Sequence, residues 1–385
     1  MKGWDLSDPF EAYRRLEGQL TVDFVGEEIP LILRHADVRD AAMDWQRFSS
    51  DAPFRVPIPP EDGVRRVRQI PIELDPPKSQ GFKELLRDTF GAPRKPEYAD
   101  RIKALVERSI AQILDSGPFN VIDEFALPLQ GKALAQLLRM PESEANAWQA
   151  WGTSVFQDDT GYSEDKGQGL EAYILDQLEQ TRDEPGADFF SWLNTVEHEG
   201  CKLTEDEKLG IALLVFAGGR DTIISMVSFC FVYFANHPQS LVDIRENPAL
   251  ERTALEEFVR IVSPLSHIGR VCPHATEVHG VSREEGERVS ICWASANRDD
   301  AIFTDPHTID IARQRNAHMG FGYGPHMCLG SIHARVLLRS VIATMAAQIG
   351  EITLHESIPK WEDWKAYRRQ IGCERLMVSV QSRLA

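Results

Sequence analysis

Phe321-Gly322-Tyr323-Gly324-Pro325-His326-Met327-Cys328-Leu329-Gly330 decides how the rest of the chain is read. One cysteine stands in a loop crowded with glycine, with a phenylalanine ahead of it. The run Ser331 to Met345 directly behind it has a helical composition. Glycine lets a backbone turn tightly and come close to a large flat ligand. A backbone folded around a sulfur aims amide hydrogens at it, and these favour the thiolate. The other five cysteines, Cys201, Cys230, Cys272, Cys292 and Cys373, are scattered without a Cys-x-x-Cys pair. They read as reduced, mostly buried thiols.

Upstream of this loop, the most apolar stretch runs from Ile211 to Ala235. It is long enough to cross a bilayer, but Arg220 and Asp221 interrupt it, so it is expected to be the buried axis of a globular core. Thr204-Glu205-Asp206-Glu207 reads as its N-cap with an acidic first turn, and Asn236-His237-Pro238 as its end. Leu20 to Arg34 alternates like a hairpin around Gly26, and a helix starts at His35-Ala36-Asp37. Ser49 to Pro76 is proline-rich and aperiodic, a long irregular loop of the kind that usually serves function. Ile102, Leu105, Val106, Ile110, Ile113 and Leu114 recur at helical spacing, and Gly117-Pro118 ends that helix. Turns are expected at Asp158-Asp159-Thr160-Gly161 and at Asp183-Glu184-Pro185-Gly186.

The 385 residues, 43% hydrophobic and 26% charged, suffice for one large domain or for two or three ordinary ones. A net charge of −17 argues against nucleic acid as a main partner. The N-terminus, Met1 to Asp8, has no apolar signal core, so a cytoplasmic protein without membrane insertion is expected.

The opening decapeptide resembles the haem-ligand signature of the cytochrome P450 superfamily, Phe-x-x-Gly-x-x-x-Cys-x-Gly, at Phe321, Gly324, Cys328 and Gly330. More of the family's features follow in its order. Ala217-Gly218-Gly219-Arg220-Asp221-Thr222 resembles the oxygen-activation motif of the central helix. Glu257-Phe258-Val259-Arg260 resembles the Glu-x-x-Arg brace, and Ala296 to Pro306 the stretch before the haem loop. Asp75-Pro76-Pro77 is similar to the opening of the haem-propionate helix. The chain departs from the family pattern at Ser79 and Lys83, where His and Arg are usual, at Thr308-Ile309, where Arg-Phe is usual, and at Ile223, where a second hydroxyl is usual.

The resemblance implies a mainly α fold with a minor β region. It implies one large domain, 1–385, around a buried haem, with a β-rich part at about 15–75, a helical core at about 76–350 and a C-terminal β part at about 351–385. It implies haem b held by the Cys328 thiolate, whose electron push favours O–O cleavage. Phe321 and Gly322 would shape the haem loop, while His326, Arg270 and Lys83 would reach the propionates. Asp221 and Thr222 would form the acid–alcohol pair that brings protons to dioxygen. The activity implied is that of a haem-thiolate monooxygenase, with O2 and NAD(P)H-derived electrons as co-substrates. It would hydroxylate or O-demethylate a small organic substrate. The resemblance, spread over these residues, leaves no room for a fused reductase among them, so a separate ferredoxin and ferredoxin reductase are expected. Arg313, Arg315, Arg335 and Arg339 are expected to form the docking patch.

By the family's pattern the substrate would meet Leu214, Gly218, Ser266, His267, Ile268, Arg369, Gln370, Ile371 and the loop Phe54 to Ile70. The polar members point to a small oxygenated substrate, a methyl ether or a hydroxylated ring. Two rivals stand beside this. A peroxide-driven haem-thiolate enzyme typically carries Arg-Pro in place of Asp221-Thr222. A non-catalytic haem sensor or carrier would not need that pair.

Overall fold

The alternation around Gly26 closes into a hairpin. In the computed structural model, which describes residues 1–153, 157–158, 161–162 and 164–383, strands β1 (Gln19–Phe24) and β2 (Glu27–Ile32) pair antiparallel around Gly26, at φ +86°. Leu20, Val22 and Phe24 face the core while Thr21 and Asp23 face out, as a period of two requires. Strands β3 (His267–Val271) and β4 (Arg288–Cys292) complete a sheet of order β1-β2-β4-β3, in which β2 and β4 run parallel. A long C-terminal hairpin, β5 (Ile349–Trp364) and β6 (Tyr367–Ser382), pairs separately with Phe119–Asn120.

The helices that position the site are α1 (His35–Met43), α2 (Lys78–Leu85), α3 (Pro96–Ile113), α4 (Leu127–Leu137), α5 (Glu144–Gln149), α6 (Glu205–Gly218), α7 (Asp221–Asn236), α8 (Leu250–Val262) and α9 (Ser331–Gln348). The apolar face of α3 is buried at Ile102, Leu105, Val106, Ile110 and Ile113, and the helix packs on α9. The Thr204 cap is a full capping box: Thr204 Oγ1 accepts from Glu207 N (3.2 Å), and the Glu207 carboxylate accepts from Thr204 N (2.8 Å). The long apolar run is largely buried, as its composition required. It is two helices, broken at Gly219 and Arg220. Ile223 to Phe234 of α7 is buried on all sides, with Trp4 and Phe258 edge-on to Phe229 at 5.1 and 5.3 Å.

The 49–76 loop is irregular but knotted from within. Glu73, fully buried, accepts from Phe54 N (3.0 Å) and Gln69 N (2.7 Å) and pairs with Arg65, which also holds Glu61 (2.6 Å). Asp75 accepts from Ser50 N (2.8 Å) and the Ser49 hydroxyl, which fixes the approach to α2. The loop lies directly on α6, where a Cβ at Gly210 would come 2.2 Å from the Arg68 carbonyl oxygen. The turn expected at 183–186 is present. That at 158–161 includes Asp159 and Thr160, which lie outside the described residues.

Candidate active site

The sulfur loop hangs between α8 and the start of α9. Cys328 N donates to Phe321 O (2.8 Å), which folds the loop back on itself. Gly322 (φ +72°) and Gly324 (φ +69°) take the left-handed turns this needs, and a Cβ on Gly324 would lie 2.8 Å from Ala42 O of α1. The Cys328 thiol opens into an internal cavity yet lies deep in the protein. Burial pushes its pKa up, while the amides of Gly330 and Ser331 and the charges of Lys83 and Arg335 pull it back. Sequence reasoning had reached the amides; the structure adds the two cations.

The cavity runs from this loop to the central helices. Leu214, Val215, Gly218, Gly219, Thr222, Ile223 and Met226 line one wall, joined by Ile70-Pro71-Ile72 of the loop, Leu134 and Leu137 of α4, and Pro264, Leu265 and Ile268. Lys83, Arg270, Phe321, Gly322 and His326 border it as well. Thr222 Oγ1 makes a long bond to Gly218 O (3.4 Å), one turn back.

Three polar side chains test whether haem fits. His326 Nδ1 and Nε2 are both buried without a hydrogen-bond partner, a cost of about 1–3 kcal/mol per group when nothing fills it. Burial, with Arg270 and Lys83 nearby, pushes this imidazole down to about 3. Arg270 is buried with its guanidinium on Gly269 O (2.7 Å), and burial lowers it to about 10. Two donors with no carboxylate in hydrogen-bond reach among the described residues, in one cavity with a thiol, fit a ligand that brings two carboxylates and a metal. Haem is such a ligand. Lys83, which also borders the cavity, donates its ammonium to Pro325 O and to Met327 O (3.0 Å) of the sulfur loop. Burial lowers it to about 8. Ser79 Oγ, at the usual histidine position, is buried and unpartnered.

Several expected substrate contacts lie elsewhere. Leu214, Gly218 and Ile268 line the cavity; Ser266, His267, Arg369, Gln370 and Ile371 do not. Side chains of a strand alternate, so Ile268 and Arg270 of β3 share the cavity side and His267 takes the other. The His267 ring is held by Ser290 Oγ (2.9 Å) and Tyr367 OH (3.0 Å), beside Glu362. Arg369 donates to Ser266 Oγ (2.9 Å), Ser263 O (3.1 Å) and Val262 O, tying β6 to the end of α8. Gln370 accepts from Asp5 N (2.6 Å) and donates to Gly372 O (2.9 Å), and Ile371 O accepts from Ser225 Oγ (2.5 Å). Arg55 lies 3.6 Å from Glu27. The polar set that suggested an oxygenated substrate is thus structural, and the cavity wall is mostly apolar. Asp221 is absent from that wall; it opens the first turn of α7, next to Thr222.

The brace at Glu257 and Arg260 is fully buried. Arg260 forks onto the carboxylate (2.8 and 2.8 Å) and donates to Asn297 O (2.9 Å), Pro306 O (2.7 Å) and Thr308 O (3.1 Å). Glu257 further accepts from Asp310 N (2.9 Å), Arg313 Nε (3.0 Å) and Asn316 Nδ2 (3.1 Å). Arg313, expected on the docking face, supplies the third partner instead. Arg335 pairs with Glu256 (2.7 Å) and lies 4.2 Å over the Phe321 ring; Arg339 pairs with Glu251 (3.0 Å). Of the four arginines, Arg315 alone makes no ion pair among the described residues. Sequence reasoning also missed Gln130, whose Nε2 donates to Gly219 O (3.1 Å), and Trp293 on the cavity wall. A lone glutamine in an apolar helix was the only available signal for the first.

Comparison with known proteins agrees with this geometry. The Cytochrome P450 family profile matches residues 168–347. The chain is similar to Nocardicin C N-oxygenase of Nocardia uniformis subsp. tsuyamanensis, 31% identical over 86% of this chain and 84% of that protein. It is similar also to the Biotin biosynthesis cytochrome P450 of Bacillus subtilis (strain 168), 30% identical over 85% of both. Among solved structures, a carbohydrate active P450 superposes with a TM-score of 0.95 at 36% identity over 98% of each chain. P450BioI, solved in complex with hexadec-9Z-enoic acid ligated acyl carrier protein, reaches 0.82 at 25% identity over 98% of this chain and 99% of that one. The motif loop, the mainly helical fold and the near-complete overlap with these relatives agree: this chain is a member of the cytochrome P450 family.

Proposed function

We propose that this P450 monooxygenase oxidises a small carbohydrate, and that the reaction is removal of an O-methyl group. The likeness to a carbohydrate active P450, with a TM-score of 0.95 at 36% identity, carries the substrate class. The apolar wall suits the methyl end of a methoxy sugar, since Leu214, Val215 and Ile268 gain by burying it and keep water from it.

Haem, when bound through the Cys328 thiolate, would supply dioxygen cleavage and the oxidant for the C–H bond. The chain's own residues do the rest. Arg270 and His326 would hold the two propionates. Thr222 Oγ1 would exchange its long bond to Gly218 O for one that holds a proton toward dioxygen. Asp221, outside the cavity, would pass protons inward from solvent. Attack on a methoxy carbon balances as R–O–CH3 + O2 + 2 H⁺ + 2 e⁻ giving R–OH, formaldehyde and water. A methoxy sugar should therefore shift the spin state on titration and release formaldehyde in a 1:1 ratio with demethylated sugar. A protein that responds only to long-chain acyl or terpene ligands, which the apolar wall also suits, would refute the sugar assignment.

Electrons are proposed to come from a ferredoxin and its reductase, drawing on NAD(P)H. All six cysteines are free thiols, which agrees with work in a reducing cytoplasm. Arg315→Glu should slow reduction by about tenfold at low salt while leaving substrate titration unchanged, because an exposed charge steers encounter without shaping the site. Stopped-flow reduction checks this; unchanged rates at low salt would move the docking face away from Arg315.

A further inference from the structure

The break between α6 and α7 is held from outside the central helix. Arg220 sits in the break, 3% exposed, with φ −99° and ψ −76°. Its Nε donates to Gly152 O (2.6 Å) and its Nη2 to Trp148 O (2.7 Å). Those carbonyls lie at and just past the C-terminal turn of α5, where helix geometry leaves acceptors open. Arg220's own carbonyl accepts from Ile223 N and Ile224 N (both 3.2 Å) and so starts α7. The neighbouring residue is tethered from α4: Gln130, 2% exposed, donates to Gly219 O (3.1 Å).

Arginine on a helix normally runs its stem along the surface and keeps its head in water. Here burial is strong enough to lower it to about 10, so the group stays charged at a cost. A cost of this kind marks a place where geometry matters more than stability. The atoms being fixed border the cavity: Gly218 and Gly219 line it, and Thr222 follows two residues after Arg220.

We propose that Arg220, together with Gln130, is a positioning residue for dioxygen chemistry, pinning the break so that Thr222 Oγ1 faces the cavity at a fixed depth. Two outcomes compete for the same electrons. Correct delivery of protons gives R–H + O2 + 2 H⁺ + 2 e⁻ → R–OH + H2O. Misplaced delivery gives O2 + 2 H⁺ + 2 e⁻ → H2O2. A tether on the break acts on this partition, whereas a purely structural residue acts on folding and haem retention.

The test uses the haem-loaded enzyme with an external electron supply. Peroxide formed per dioxygen consumed is measured with any compound that shifts the spin state and is turned over, whatever its class, so the result stands apart from the sugar assignment. Arg220→Met should raise the peroxide share, and lower product per electron pair, by about tenfold. The carbon monoxide band and the spin-state titration should stay in place. Arg220→Lys, which keeps one charged donor, should return the partition to within about threefold of the parent. An Arg220→Met enzyme with an intact band and a partition within twofold of the parent overturns the proposal. If Arg220→Met does not retain haem, Gln130→Leu decides. In Gln130→Leu, an intact band with the peroxide share raised at least threefold supports the tether and an unchanged share refutes it, while Arg220→Lys should stay within about threefold of the parent.

Discussion

Cys328→Ala is expected to abolish the carbon monoxide band at about 450 nm and to cut turnover by at least about a thousandfold, the equivalent of about 4 kcal/mol in the barrier. The sulfur faces the cavity and its loop is built around it, with Phe321 O closing the turn and the amides of Gly330 and Ser331 aimed at it. Alanine leaves that scaffold whole and removes only the sulfur proposed as ligand. His326 and Arg270 still offer donors to propionates, so some haem should remain bound with altered optics. Cys328→His separates ligation from thiolate chemistry, because a neutral imidazole holds iron without the anionic push. A Cys328→Ala protein that kept its band and turnover would end the assignment of Cys328 as ligand.

The second large effect lies away from the cavity. Glu257→Ala should destabilise the folded protein by about 3–5 kcal/mol, since it strands the fully buried Arg260 and takes an acceptor from Arg313 and from Asp310 N. Denaturant midpoints and haem release measure it together. Glu257→Gln should lose less, as the amide oxygen still accepts. Burial alone would raise the Glu257 pKa; the hydrogen bonds and charge of Arg260, joined by the Asp310 amide and the Arg313 charge, together hold it below its ordinary value of 4.5. A carboxyl depressed on folding stabilises fully above its unfolded value and loses that contribution as pH falls through the folded one. The parent should therefore shed haem in acid below about pH 4.5, and Glu257→Ala should show less of this pH dependence. A Glu257→Ala variant matching the parent in midpoint and haem retention would remove the brace from this account.

The sulfur loop and the central motif were legible because ligand loops and helix breaks demand particular residue types at fixed spacing. The hairpin at Gly26 and the Thr204 cap were legible for the same local reason. What failed was facing. The β3 stretch His267-Ile268-Gly269-Arg270 is buried on nearly every residue, so alternation in the sequence carried no sign of which parity met the cavity. Arg369 and Gln370 look like binding groups in one dimension. They prove to satisfy carbonyls at the end of α8 and the amide of Asp5, partners more than a hundred residues away in sequence. Arg313 misled in the same way: a basic residue near the sulfur loop reads as surface charge until Glu257 is seen beneath it. Long-range polar pairing has no periodicity, and periodicity is what a single sequence offers.

The Arg65–Glu73 knot gives the covering segment a shape that does not depend on the residues it shows to a ligand. Ile70, Pro71 and Ile72 sit on that fixed frame like interchangeable tiles. Selection can exchange them one at a time, altering what the enzyme accepts while the chain keeps its path and its footing on Gly210. The same architecture would let a relative drift from one class of molecule to another without rebuilding its oxygen chemistry.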